Sequence, residues 1–392
     1  MPSNAPRAAG DNVIPLHGDG VLRASDFTMR AARHLWYPYL PLGKITVFDG
    51  DPGKGKSQIT VDLAARVIMG LPLPDMRVHV SVSRPASRKR VSPCGVVMVC
   101  AEDDWGDTIL PRLVGALQEY GCKDIPAALD RVAVVGMQRS DDGQVRALEF
   151  PKDTTKVRQA VKAVDAVLVV VDPIMAFFGE DTNTSSDASV RKALGPFKEL
   201  AAKTGAAFVL IRHLNKSVDL KAEYRGGGSH GGFIGLARSA WMVGEHPEEP
   251  GTYVFVHSKA NITVRGRSVR YVIVPREVTD AGGKSIDTSG IEWGEPVDMD
   301  ADTLLRGHDS RRDAPERDEC WENMKALLAE RDPRPAREVQ RLLQEAGHTL
   351  DTIKRTKRHY GVRSVQRREG AAICGWEWTV APPDAVQGGE SG

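Results

Sequence analysis

The chain lacks any unbroken apolar run approaching the roughly 20 residues that span a bilayer, so a membrane-crossing helix is not expected. Its start, Met1-Pro2-Ser3-Asn4-Ala5-Pro6, has no apolar core of a secretory signal, and the expectation is a cytoplasmic protein without membrane association. Cysteine is scarce. Five residues (Cys94, Cys100, Cys122, Cys320, Cys374) form no C-x-x-C pair, which points away from zinc and towards plain thiols in a reducing compartment. No internal repeat recurs along the chain. Net charge is also nearly absent, with 53 Lys and Arg against 52 Asp and Glu, so any nucleic-acid partner must be sought in local basic segments. What is present is apolar material, 41% of 392 residues, enough for one large domain and an appendage.

The most specific motif is Gly50-Asp51-Pro52-Gly53-Lys54-Gly55-Lys56-Ser57, which fits G-x-x-x-x-G-K-[ST] and follows the strand-like run Ile45-Thr46-Val47-Phe48. The glycines let backbone N–H groups curl round phosphate oxygens. Lys56 would reach the β- and γ-phosphates, Ser57 would offer its hydroxyl to Mg²⁺, and Gln58 follows at the helix start. Ile59, Leu63, Ala64, Val67 and Ile68 recur at helical spacing, so the loop opens a helix whose positive end faces the phosphates. ATP with Mg²⁺ is the expected ligand.

Apolar runs alternate with helix or loop segments from Lys44 to Met242: Val96–Cys100, Val132–Val135, Val167–Val171, Ala207–Ile211 and Ser239–Val243. That rhythm predicts an α/β fold with a mostly parallel central sheet, and the run Val167–Val171, apolar at every position, belongs at its centre. Tyr253–His257 and Val269–Val274 are expected to extend one edge in antiparallel fashion. Between Asp187 and Gly205 an apolar stripe marks a helix that Gly195-Pro196 should weaken or kink. The organisation read from composition is a tail (1–25), a core (26–298), a linker (299–315), a small domain (316–381) and a second tail (382–392). The small domain reads as helices over Glu316–Glu330, Pro335–Glu345 and Leu350–His359 with a hairpin over Glu369–Thr379, the order of a winged helix-turn-helix.

Hydrolysis needs more than phosphate binding. Asp172 ends the all-apolar strand and is the expected metal-holding carboxylate. Glu102, after Val97-Met98-Val99-Cys100-Ala101, is placed to orient the attacking water, with Asp103 and Asp104 as competitors. His213 stands at another strand end, where it could sense the γ-phosphate or serve structure. The basic, Gly-rich segment Asn215–Gly232 carries Lys216 and Arg225 and could track a phosphate backbone or lend an arginine to a neighbouring site. Arg225, Arg238 and Lys259 are the trans-acting candidates. Arg84 and Arg88-Lys89-Arg90 form another basic stretch, most simply a solvated one.

Gly50–Ser57, Ala101-Glu102-Asp103-Asp104, Val171-Asp172-Pro173, Arg212-His213-Leu214-Asn215-Lys216 and Arg225-Gly226-Gly227-Gly228-Ser229 occur in the order seen in RecA-fold ATPases. Over Asp26–Asp298 the set resembles plasmid RepA-type hexameric helicases and related AAA-labelled ATPases of phages and mobile elements; the C-terminal unit and the segment Val78–Ser92 lie outside that pattern. The resemblance implies a RecA-like P-loop core, an oligomer forming a hexameric ring, and DNA as partner. It also implies Glu102 as catalytic base, Asp172 as metal carboxylate, His213 as γ-phosphate sensor and Arg225 as a finger from the adjacent subunit.

In the C-terminal unit, Lys354, Arg355, Lys357, Arg358, Arg363, Arg367 and Arg368 fall between Thr352 and Arg368 without one acidic residue. A helix over Leu350–His359 in a major groove would bring Lys354, Arg355, Lys357 and Arg358 to backbone or bases. Two readings follow: an oligomeric ATPase moving on DNA, or an ATP-switched DNA-binding regulator or loader. A small-molecule kinase is a third and weaker one.

Overall fold

The computed structural model describes residue 24 and residues 27–74, 92–139, 145–214, 229–305, 314–369 and 372–380. The chain divides into two compact units, Met1–Leu305 and Arg306–Gly392. In the first, a short antiparallel pair, β1 (His34–Trp36) and β2 (Leu40–Pro41), precedes β3 (Ile45–Gly50) and α1 (Lys56–Met69). Then follow β4 (Gly95–Cys100), α2 (Leu110–Glu119), α3 (Ile125–Leu129), β5 (Val132–Val135), the hairpin β6 (Met137–Arg139) and β7 (Val145–Ala147), α4 (Thr154–Ala163) and β8 (Ala166–Asp172). After these come α5 (Asp187–Thr204), β9 (Ala207–His213), α6 (His230–Leu236), β10 (Ser239–Glu245), β11 (Thr252–Ala260), β12 (Ser268–Thr279) and β13 (Ser285–Val297).

Nine strands join in the order β13-β12-β11-β10-β3-β9-β8-β4-β5. Every pairing from β10 to β5 is parallel, and β10 to β13 form an antiparallel extension. The period of two along each parallel strand sorts side chains onto two covered faces. Val96, Met98, Leu168, Val170, Val209 and Ile211 pack with Ile59, Leu63 and Leu113 of α1 and α2. Val97, Val99, Val169, Val171, Phe208 and Leu210 pack with Val157, Leu194 and Phe197 of α4 and α5. Both faces being dry, the strands read as unbroken apolar runs.

Several details depart from the sequence reading. The α5 helix continues through Pro196, with Val190, Leu194, Phe197 and Ala201 buried at 0% exposure; that burial offsets the roughly 3 kcal/mol an interior proline costs. The antiparallel strands run longer than expected, and β13 was not anticipated at all, since Gly290, Gly294 and Pro296 dilute its alternation. Residues 301–305, assigned above to a linker, form a helical turn that buries Ala301, Leu304 and Leu305 against Met242, Val254 and Val256.

The extension clasps the helix behind the phosphate loop. Buried Asp62 of α1 accepts the Trp293 indole N–H of β13 at 2.8 Å, Arg66 Nε at 3.0 Å and the Tyr120 hydroxyl at the end of α2. On the sheet beneath β1 and β2, Trp241 stacks on Phe255 and His257. The Gly266 N–H donates to His257 Nδ1 at 2.8 Å, so Nε2 carries the ring proton and faces Ser239 Oγ at 3.0 Å. Burial, reinforced by the Arg265 charge, pushes His257 down to about 4 from 6.5. Below 6.5 the unfolded chain therefore binds the proton that the folded chain refuses. This contribution is complete above pH 6.5 and is lost as pH falls towards 4, amounting to about 3 kcal/mol. Urea unfolding across that interval should show the decline, and His257→Phe should flatten it while lowering the plateau; equal slopes in both proteins would remove His257 as its origin.

The second unit holds helices at Ala314–Glu330, Ala336–Glu345 and Leu350–His359, and a sheet of Arg334–Pro335, Ala372–Thr379 and Arg363–Glu369 in that order. Cys320, Met324, Leu328, Val339, Leu343, Ile353 and Trp378 make its core. Its hairpin starts at Arg363 rather than Glu369: Arg363, Arg367 and Arg368 are exposed residues of its first strand, in which Val365 is half-buried.

Candidate functional site

Four parallel strands lying side by side, β3, β9, β8 and β4, deliver Gly50, His213, Asp172 and, two residues past Cys100, Glu102 to one end of the sheet. That end is the carboxyl edge, where open α/β sheets bind ligands. Of these, His213, Asp172 and Glu102 line an open cleft of about 240 Å³ together with Pro52, Gly53, Gly55, Lys56, Ser57 and Gln58.

The loop is shaped by glycine where nothing else fits. Gly55 has φ +82°, and a Cβ there would stand 3.2 Å from the Tyr271 ring and 3.3 Å from Ile273; one on Gly50 would stand 2.6 Å from the Val243 carbonyl. Lys56 is 5% exposed. Its ammonium donates to the carbonyls of Gly50 at 2.8 Å and Asp51 at 2.7 Å, so those two residues hold the lysine. Burial lowers Lys56 to about 8, against the pull of Asp172, Asp51, Asp49 and Glu102. Lys54 does not enter the cleft: its ammonium pairs with Glu245 at 3.0 Å and lies 5.6 Å from the Tyr253 ring centroid. Gln58 lines the cleft and donates its amide to Ser289 Oγ at 2.5 Å.

A polar line crosses the cleft. His213 Nδ1 lies 3.4 Å from Lys56 Nζ, and His213 Nε2 lies 3.4 Å from Glu102 Oε2. The other two acidic candidates have partners of their own: Asp103, also lining the cleft, pairs with Arg112 at 2.9 Å, and Asp104 caps the π-helical turn Trp105–Ile109 by accepting the Gly106 and Asp107 amides at 2.7 and 3.1 Å. Asp172 shares a hydrogen bond with the Ser57 side chain. Burial raises its carboxyl to about 6, opposed by Ser57 and by the Lys56 charge. Burial, with Asp172 and Asp103 nearby, drives Cys100 up to about 12, so this thiol stays protonated beside the cleft. Among the described residues no cluster of three or more His, Cys, Asp or Glu side chains could cage a metal unaided. A hydroxyl and one desolvated carboxylate fit a cation that takes its remaining ligands from phosphate and water, as Mg²⁺ does.

Of the remaining candidates, Lys216 and Arg225 lie outside the described residues, as do Arg84, Arg88, Lys89 and Arg90. Arg238 precedes β10, at the amino end of the parallel strands and away from Gly50. Lys259 is on β11 and donates to the Ile234 carbonyl. In the C-terminal unit Lys354 and Arg358 are exposed and Arg355 is half-buried, whereas Lys357 braces its own fold by donating to Ser364 Oγ at 2.6 Å.

Sequence reasoning missed three features. Arg112 enters the cleft from the first turn of α2, signalled only by the helix-starting Pro111 before it. Tyr271 donates to the Lys54 carbonyl from beneath the loop, with nothing local to announce it. Arg212, beside His213, is fully buried against Asp49, beside Gly50: Nε to Oδ1 and Nη2 to Oδ2, both at 2.7 Å, with its guanidinium 4.6 Å from the Phe233 ring centroid.

Over 176 residues, 44% of its length, the chain is 25% identical to the DNA repair protein RadA of Halalkalibacterium halodurans, and it spans 28% of that protein's length. Among solved structures, that of the RadB recombinase aligns with TM-score 0.40 and 16% identity over 60% of this chain and 89% of RadB. The model of the AAA domain family AAA_25 matches residues 18–219, just over half the chain, and includes the phosphate loop, Glu102, Asp172 and His213. The chain belongs to the AAA domain family and is a P-loop ATPase.

Proposed function

We propose that the chain is an Mg²⁺-dependent ATPase of RecA-like fold that acts on DNA as an oligomer, in replication or recombination of a plasmid, phage or mobile element. The observation that carries this reading is the line Lys56, His213, Glu102 beside the Ser57 and Asp172 pair, at the ends of four adjacent parallel strands. Ser57 and Asp172 would hold Mg²⁺, which when bound neutralises charge between the β- and γ-phosphates. Lys56, free to leave the Gly50 and Asp51 carbonyls, would take the same phosphates. Glu102 would accept the proton of the attacking water, and His213, between Glu102 and Lys56, would register whether the γ-phosphate is present.

A DNA partner is supported by the similarity to a DNA repair protein and by the exposed Lys354 and Arg358 of the C-terminal unit. That unit we read as a winged helix, with Leu350–His359 as the groove-entering helix and the hairpin as wing. A hexameric ring with Arg225 as the finger across subunits completes the motor reading; Lys216 in the same segment would touch the strand. The separate C-terminal unit also favours a second reading, an ATP-switched regulator or loader that does not unwind DNA.

ATP hydrolysis with and without single-stranded and duplex DNA, at low and moderate salt, tests both. Lys56→Ala should reduce turnover to background, since it removes the cation that bridges the transferring phosphate. Strong stimulation by single strands would favour the motor. Stimulation by neither form would favour the switch, and phosphoryl transfer to a metabolite would defeat both.

A further inference from the structure

We propose that the hairpin of the C-terminal unit carries a stacking platform for an unpaired nucleobase, centred on Trp376; this rests on the reading of that unit as DNA-binding. Trp376 is 53% exposed, while Trp378, two residues along the same strand, is 3% exposed in the small core. Alternate strand residues share a face, so both indoles point to the same side of the sheet. On that side the Lys357 ammonium lies 4.9 Å from the Trp378 ring centroid. Gln366 stands directly opposite Trp376 across the hairpin, and Arg368 donates Nη2 and Nε to Gln366 Oε1 at 2.8 and 3.2 Å. The face therefore runs outward from a buried indole under a lysine to an exposed indole opposite Gln366, whose amide oxygen the Arg368 guanidinium holds. Arg363 and Arg367 are exposed on the same strand and, alternating with Gln366, stand on its other side.

An open indole among cations matches a ligand with a flat π-surface and a negative backbone, which is a nucleotide within a strand. An acidic peptide would satisfy the cations and leave the indole in water. An apolar protein surface would cover the indole and strand the cations. Bases inside a duplex are already stacked on their neighbours, so the base that Trp376 takes is one released from pairing, at a strand end or in a single-stranded tail. With Lys354 and Arg358 on phosphates, the unit would recognise the boundary between duplex and single strand.

The test uses the full-length protein without nucleotide and three labelled DNAs: a single strand, a blunt duplex, and a duplex with a single-stranded tail. Trp376→Ala should weaken binding of the single strand and the tailed duplex about tenfold and leave the blunt duplex unchanged, with Trp376→Phe keeping most of the affinity. A 5-iodouracil placed in the tail should photocrosslink to the peptide containing Trp376, a readout that needs no variant to fold. If Trp376→Ala binds all three like the parent while Lys354→Glu with Arg358→Glu abolishes binding, the platform is wrong and the DNA reading stands. If the parent protein binds none of the three, the DNA reading fails and takes the platform with it.

Discussion

Glu102→Gln should lower ATP turnover by about 10²- to 10⁴-fold, the range for loss of a general base, while nucleotide binding persists. The substitution keeps the shape of the side chain, and its amide oxygen can still accept from His213 Nε2, which faces Glu102 at 3.4 Å. What it cannot do is take up a proton. No phosphate ligand is touched: the phosphate loop, Lys56 and Ser57 stay as they are, so the variant should trap the triphosphate. Fluorescent-nucleotide titration alongside steady-state and single-turnover hydrolysis separates the two quantities. Turnover near the parent rate would shift the role to another group. Asp103 would be first in line, because its pairing with Arg112 is solvent-exposed and can be exchanged at little cost.

The cleft was legible in the sequence to the extent that its residues end apolar strands. Asp172 and His213 are the last residues of β8 and β9, and Glu102 follows β4 by two; a strand covered on both faces must stop where a carboxylate or imidazole meets solvent. The same logic hid β13. Its side chains alternate weakly, its glycines read as turns, and its Trp293 contacts Asp62 across 231 positions of chain. The turn at 301–305 was concealed by the acidic and proline-rich composition round it, although Ala301, Leu304 and Leu305 recur at helical spacing and fill a gap beneath Met242. Arg363, Arg367 and Arg368 read as one basic run with the helix residues before them, because charge alone does not show where the helix ends and a strand begins. Which lysine faces solvent was equally unreadable. Lys354 and Lys357 differ in role because Ser364 and Trp378 happen to lie above the second.

Removing either member of the Asp49–Arg212 pair should cost more than any other single truncation in the core unit. The two side chains are 3% and 0% exposed, and each leaves the other as an uncompensated buried charge, a loss of about 3–5 kcal/mol. In a unit of this size that lowers the thermal midpoint by roughly 10 °C. The pair sits 163 residues apart in sequence on neighbouring strands, with Asp49 one residue before the first glycine of the phosphate loop and Arg212 one residue before His213. Its bidentate geometry therefore fixes the height of the loop relative to the imidazole that faces Glu102. Asp49→Asn and Arg212→Met should each reduce the thermal midpoint and also lower kcat more than they raise KM, since loop and imidazole lose their register. The double replacement Asp49→Leu with Arg212→Met should recover much of the stability, because two apolar side chains leave no buried charge unpaired. Its kcat should stay low if the pair sets alignment. Recovery of both stability and kcat in the double variant would reduce the pair to packing, and single variants within about 1 kcal/mol of the parent would show the burial to be leakier than the geometry implies.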